Sequence, residues 1–251
     1  MPRPETALCV ARRPGVRHVP AVLPVDEAAL SRRRAQNLAA PRADARGLVP
    51  SIRSFAQALD RQRQALEPVP MLSLANPDCE SIARALDEAE VAALALSAED
   101  PALDLPRLAS MAKASTVPLL RADLLLEEFQ VYESRAAGAD AVLLHASLLP
   151  GESLGRLCAA ARATHMDACV VCTSREEMDR AVAARAAALA FGDDAPALAS
   201  QAPRRVILVA IAGDPSQLRG KVDAVLDSTI AAAPDPASAF RAALARLEED
   251  R

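Results

Sequence analysis

His145 ends the apolar run "AVLLH" (141–145), and Asp123 follows the run "VPLLR" (117–121) in the triplet Arg121-Ala122-Asp123. An imidazole that meets a carboxylate can move a proton, so His145 with Asp123 or Asp193 is a candidate acid–base pair. A histidine in such a place is also a hydrogen-bonded core residue or a ligand contact, and the spacing leaves all three readings open. Leu143 lies two residues before His145, on the same side of a strand. Asp123, Leu143, His145 and Asp193 therefore make up one candidate pocket. Between Arg121 and Asp123, where chemistry would be expected, Ala122 offers only a methyl group. The cysteines are Cys9, Cys79, Cys158, Cys169 and Cys172. Cys169 and Cys172 form a C-x-x-C that runs along a strand rather than opening a helix, and no second pair completes a zinc site. They read as small core residues of a reducing compartment, so neither a metal nor a cofactor is expected. His165 ends a helix, where a cation suits the dipole. His18 has no evident partner.

The elements that would hold these residues alternate. Apolar runs stand at 71–75, 91–97, 117–121, 141–145, 167–171, 187–191, 205–210 and 222–227, and helical patterns follow most of them, at 79–90, 127–137, 151–164, 174–185 and 235–249. Strands separated by helices imply right-handed crossovers and a parallel sheet. Near-continuous apolar runs suit strands buried on both faces. Eight such units predict an α/β fold, a (β/α)8 barrel, with residues 67–251 forming the barrel. An open doubly wound sheet is the alternative, but it usually carries a Gly-rich turn after its first strand, and "LANPDCES" has no glycine. Residues 1–66 form an N-terminal arm and helical extension, with helices expected over 26–39 and 51–66, capping the bottom of the barrel or packing beside it. Alternation of side chains puts Ala122, Leu143, His145, Val171, Ala212 and Ser228 toward the interior or mouth.

The chain has 251 residues, of which 51% are hydrophobic and 2% aromatic, without Trp. The core must be built from Ala, Leu and Val, and with almost no aromatic side chains a base-stacking platform for nucleic acid is not expected. No apolar run reaches membrane-spanning length, and the N-terminus has no continuous apolar segment, so a cytoplasmic protein is expected. The formal charge of −4 conceals an asymmetry: residues 1–63 hold 12 Arg against 5 acids. Clusters such as Arg12-Arg13 and Arg32-Arg33-Arg34 either meet an anionic partner or pack against the acidic remainder of the chain. Lys113 and Lys221 are the only lysines.

"FQVYESRAAGADAVLLHASLL" (129–149) closely resembles the indole-3-glycerol phosphate synthases, tryptophan-pathway enzymes that close the indole ring with loss of carbon dioxide. The likeness continues through "MDACVVCTSREEMDRAVA" (166–183) and "VDAVLDSTI" (222–230), and "IRSFAQAL" (52–59) is similar to the segment before the family's barrel. It is dense from 118 to 191 and thin from 192 to 221. The resemblance implies a (β/α)8 barrel with its site at the C-terminal ends of the strands. It also implies what should stand there. The family's Glu-x-Lys on the first strand falls on Ser73 and Ala75. Its general-acid lysine falls on Ala122, with Asp123 kept and the following Phe replaced by Leu124. Its fifth-strand glutamate falls on Val171. Its sixth-strand Asn falls on Gly192, and the Arg two residues on falls on Asp194. Its Glu-Ser-Gly reads Ile211-Ala212-Gly213, and its phosphate-binding Gly reads Ser228. The loop after the first strand has shrunk to "NPDCES".

On that alignment no catalytic residue is intact. A single general acid or base supplies about 10²–10⁴-fold, and Ala75, Ala122 and Val171 can transfer no proton. Lys113 and Lys221 precede strands and should sit at the opposite end from the mouth. Phosphate contacts would fall to Gly213, Ser228 and Thr229, with Asp214 and Asp227 opposing them, so weak phosphate affinity is expected. The expectation is a catalytically degenerate homologue that binds a small metabolite or a tryptophan-pathway enzyme. The alternatives are a residual synthase, a carbon-carbon lyase, or an enzyme with new chemistry around His145 and Asp123.

Overall fold

The computed structural model of the chain describes residues 25–61, 63–192, 195–211 and 215–249. Arg12-Arg13, His18 and Cys9 lie outside them, as do Asp193, Asp194, Ala212, Gly213 and Asp214. Two helices come first, α1 (Glu27–Ala39) and α2 (Phe55–Leu59). The barrel follows as β1 (Glu67–Ser73), α3 (Cys79–Glu88), β2 (Leu94–Ser97), α4 (Pro101–Ala114), β3 (Leu119–Arg121), α5 (Glu128–Ala136), β4 (Ala141–His145) and α6 (Ser153–Ala163). Its second half is β5 (Asp167–Val171), α7 (Arg175–Ala183), β6 (Ala188–Phe191), α8 (Ala195–Ala199), β7 (Ile207–Ile211), α9 (Pro215–Leu218), β8 (Ala224–Asp227), α10 (Ser228–Ala231) and α11 (Pro236–Glu249). The strands are all parallel and pair in chain order, with β1 closing on β8.

The ladder explains a strand that begins earlier than the apolar run at 71–75. β1 contains Pro68 and Pro70, which have no N–H to donate. Glu67 N donates to the Asp223 carbonyl and Leu74 N to the Ser97 carbonyl, so alternate residues face β8 and β2. Both prolines fall on the β2 side, where pairing starts only at Met71. The expected helix over 51–66 shrinks to the five residues of α2. The unforeseen α4 carries Pro106 within it, but Asp100 caps its start and Pro101 opens its first turn. Between β6 and β7, α8 is a single short turn of helix.

Two apolar layers form. One lies between strands and helices, with Leu94, Leu119, Val142, Val170 and Phe191 among its members. The other fills the barrel and is rich in alanine: Ala95, Ala122, Ala141, Ala188, Ala190 and Ala224. Small side chains leave space, and α2 fills it from below with Phe55 and Leu59, both fully buried in that interior cluster. Three buried or half-buried aspartates at strand starts tie the plug down. Asp140 accepts from Ser51 Oγ at 2.6 Å, Asp167 from Ser54 Oγ at 2.8 Å, and Asp223 from Arg63 N at 3.1 Å. The extension is therefore divided. α2 closes the bottom, whereas α1 packs at the other end, against the residues that follow β2 and β3. Among the described residues no helix is long and apolar enough to cross a membrane.

Candidate active site at the barrel mouth

Strand parity fixes what faces the mouth. Ala122, Leu143 and Val171 belong to the interior cluster and are almost wholly buried, and Ile211 packs against it from β7. Ile211 is thus an inward residue of that strand, and Ala212, expected to face inward, lies outside the described residues. Ser73 and Gly192 are partly exposed at the rim, Ala75 is exposed in the loop after β1, and Leu124 is buried. Ser228 is partly exposed and Thr229 exposed, both in α10. Lys113 is exposed in the last turn of α4, just before β3, and Lys221 is exposed just before β8. Both lysines lie at the end away from the mouth.

Asp123 is not free. Arg121 Nε donates to its Oδ1 at 2.8 Å and Arg121 Nη2 to its Oδ2 at 3.1 Å. Arg33 Nη2, from α1, reaches the same Oδ2 at 2.9 Å and also donates to the Ala98 carbonyl at 2.8 Å. Arg121 is fully buried and points outward from the barrel. There its Nη1 also donates to Glu133 Oε2 at 3.2 Å and Ser134 Oγ at 3.1 Å on α5. Two guanidiniums and two carboxylates thus balance, with Arg33, Arg121 and Asp123 almost wholly buried and Glu133 partly exposed, the pairing a buried charge requires. Burial works against the Arg121 charge, yet Asp123 and Glu133 together hold its pKa above the ordinary value. For Arg33 burial wins and lowers the pKa, with Asp123 opposing.

Around this bridge α1 makes further polar contacts. Asn37 Nδ2 donates to Glu127 Oε1 and Gln130 Oε1, each at 3.2 Å. Gln130 Oε1 in turn accepts from the Leu126 and Glu127 backbone N–H groups at 2.7 and 3.0 Å. Arg42 lies over the Phe129 ring, 4.5 Å from its centroid, and pairs with Glu127. Asn37, Glu133 and Gln130 were not singled out from the sequence, and Arg33 only as one of the Arg32-Arg33-Arg34 cluster, of which it packs against an acid of the chain's own barrel. The buried face of α1 is polar, Arg33 and Asn37 one turn apart, so hydrophobic periodicity has nothing to mark. Arg121 did carry a signal, a charge on the outward side of a strand covered by helices.

His145 sits beside Val171 in the β4–β5 register and is 8% exposed. Its Nε2 is buried with no partner among the described residues, and no hydrogen bond joins it to Asp123. Burial pulls the imidazole pKa down to about 4, with Glu177 opposing, so the ring is neutral at pH 7. The expected pairing with Asp123 is not formed: Asp123 is bonded to the outward-pointing Arg121, whereas His145 follows the inward parity of Leu143. Asp193 lies outside the described residues.

At the end of β8, Asp227 Oδ1 accepts from Thr229 N at 2.7 Å and Thr229 Oγ1 at 2.6 Å. The chain's own carboxylate therefore occupies both donors of Thr229. Cys169 faces the interior and Cys172 the outer layer, and both are free. Burial pushes the Cys172 thiol up to about 12 and Cys169 higher still, so neither is a thiolate. Among the described residues no group of His, Cys, Asp or Glu could hold a metal ion.

The family model for indole-3-glycerol phosphate synthase matches residues 25–191, from just before α1 to the end of β6. The chain belongs to the indole-3-glycerol phosphate synthase family. Proteins with that name from Zymomonas mobilis subsp. pomaceae and Neisseria meningitidis serogroup B are each 32% identical to it. The first match spans 143 residues, 52% of this chain and 54% of the relative; the second spans 166 residues, 61% and 62%. The one from Desulforamulus reducens is 34% identical over 142 residues, 53% of this chain and 54% of the relative. The chain thus spans between half and two thirds of the length of these relatives. The solved structure of orotidine 5'-phosphate decarboxylase from Pyrococcus horikoshii superposes with a TM-score of 0.58 at 12% identity. It covers 72% of this chain and 99% of that one, a likeness of fold alone. Within the family match lie the whole Arg33–Asp123–Arg121 bridge and His145; β7, β8 and the Asp227 cap lie beyond it.

Proposed function

We propose that this chain is a non-catalytic member of the indole-3-glycerol phosphate synthase family, which keeps the barrel and acts by binding a small metabolite or a tryptophan-pathway enzyme. The observation that carries the reading is Ala122, a fully buried methyl group in the interior cluster at the position aligned with the family's general-acid lysine. Val171, aligned with the family's glutamate, belongs to the same cluster. Asp123, the retained acid, is neutralised by Arg33 and Arg121. Losing one acid or base costs about 10²–10⁴-fold, and although such losses do not add, losing several together leaves little. The test is incubation of the purified chain with carboxyphenylamino-deoxyribulose phosphate, the substrate of the family it resembles. No growth of indole fluorescence is expected. Saturable growth that disappears on heating the protein would overturn the reading. A thermal shift with the same compound reports whether a pocket remains, since binding must stabilise the folded state. A pull-down reports a protein partner.

A second reading, an enzyme with new chemistry at His145, is favoured by one observation, a neutral imidazole with an unpartnered Nε2 beside the mouth. It requires a turnover that His145→Gln abolishes while the fold is unchanged.

A further inference from the structure

At the end of the barrel away from the mouth lies an open cleft of about 860 Å3. Three connections wall it: the one before β1 with Asp60 and Arg63, the one before β7 with Arg204, Arg205 and Val206, and the one before β8 with Gly220 and Asp223. Arg63 is held in place. Its Nη2 donates to the Val206 carbonyl at 3.2 Å, its Nε lies 3.8 Å from Asp223 Oδ2, and its backbone N donates to Asp223 Oδ1 at 3.1 Å. That backbone bond helps to hold a left-handed φ of 58°, a conformation a residue with a β-carbon rarely adopts. Arg204 and Arg205 are the two central residues of a turn closed by Val206 N donating to the Pro203 carbonyl at 3.3 Å. Both are exposed, and neither makes an ion pair or side-chain hydrogen bond among the described residues.

Asp223, one of the two carboxylates of the cleft, is already engaged by Arg63. Asp223 also accepts from Leu208 N at 2.8 Å and is committed to pinning the loop. Lys113 and Lys221 lie at this same end, while the loops at the mouth present Glu99, Asp100, Glu127 and Glu128. Lys221, next to the cleft-lining Gly220, adds positive charge beside the arginines.

We propose that this cleft is an anion site for the phosphate or diphosphate group of a small metabolite, with Arg204 and Arg205 closing on it against the fixed Arg63. Planar guanidiniums suit phosphate oxygens because each offers a pair of parallel donors. Two consecutive arginines on one turn present two such forks to one ligand.

The full chain is titrated with sodium pyrophosphate and with inorganic phosphate, followed by thermal shift and calorimetry, with sodium chloride at matched ionic strength as control. A saturable rise in Tm is expected, larger for pyrophosphate. The Arg204→Ala/Arg205→Ala double variant, whose exposed side chains make no ion pair or hydrogen bond among the described residues, should melt normally without ligand and bind pyrophosphate about tenfold or more weakly. The absence of a saturable rise, an equal rise with chloride, or undiminished binding by the double variant would each overturn the proposal.

Discussion

Arg33 Nη2 lies 2.9 Å from Asp123 Oδ2, and the two residues are 90 positions apart in the chain. Each is about one-twentieth exposed, so this single ion pair joins α1 to the rim of the barrel in a nearly dry place. Arg121 grips the same carboxylate from the other side. The retained acid of the candidate site is therefore a structural anchor.

Breaking the bridge on one side should be more damaging than removing it. Arg33→Ala leaves Asp123 with Arg121, whereas Asp123→Ala leaves two arginines buried without their shared partner. Asp123→Ala should lose about 3–5 kcal/mol of unfolding free energy and Arg33→Ala distinctly less. Urea unfolding of the two single variants and the double variant measures the coupling. Equal, additive losses below about 1 kcal/mol would mean that the bridge holds nothing.

Restoring one family residue should not restore chemistry. Ala122→Lys places an ammonium in a fully buried interior layer with Leu143 and Val171. Burial lowers a lysine pKa by up to about 3–5 units and destabilises the charged form. The expected result is a lower Tm and no indole fluorescence with carboxyphenylamino-deoxyribulose phosphate. Turnover by this single variant would show that the rest of the machinery survives.

His145 should make the fold acid-sensitive. Its folded pKa of about 4 lies below the ordinary value of 6.5, so the unfolded chain binds the extra proton first. Its contribution is constant above about pH 6.5, falls as pH drops toward 4, and totals roughly 3 kcal/mol or less. His145→Leu fills the same space without a buried unpaired nitrogen. Between pH 6.5 and 4 this variant should lose less stability than the parent in urea unfolding. Parallel pH profiles would show that the imidazole is not buried as described.

Asp227 should act as an internal substitute for a bound anion. Asp227→Ala removes the acceptor of Thr229 N and Oγ1, which should lower stability by about 1 kcal/mol, as for the loss of an N-cap. Inorganic phosphate should then raise the Tm of the variant more than that of the parent. No difference would mean that the cap does not compete for these donors.

The alternation of apolar runs and helical patterns was enough to place eight strands and to close them into a barrel, because burial on both faces of a parallel strand leaves its mark on nearly every residue. Ala122, Leu143 and Val171 could be read as inward-facing for the same reason, since side chains alternate strictly along a strand. What no local pattern could reveal was which distant groups meet. Arg33 on a polar helix, and Asp123 after a strand, are each ordinary surface-type residues until the chain folds back and removes both from water. The same holds for Arg63, Arg204 and Asp223, brought together from three separate connections. Local sequence specifies periodicity and caps through interactions within a few residues. Charge pairing across 90 positions depends on where the elements dock, and so only the closed barrel, with α1 laid across its rim, determined that the retained aspartate is held by arginines rather than left open to a substrate.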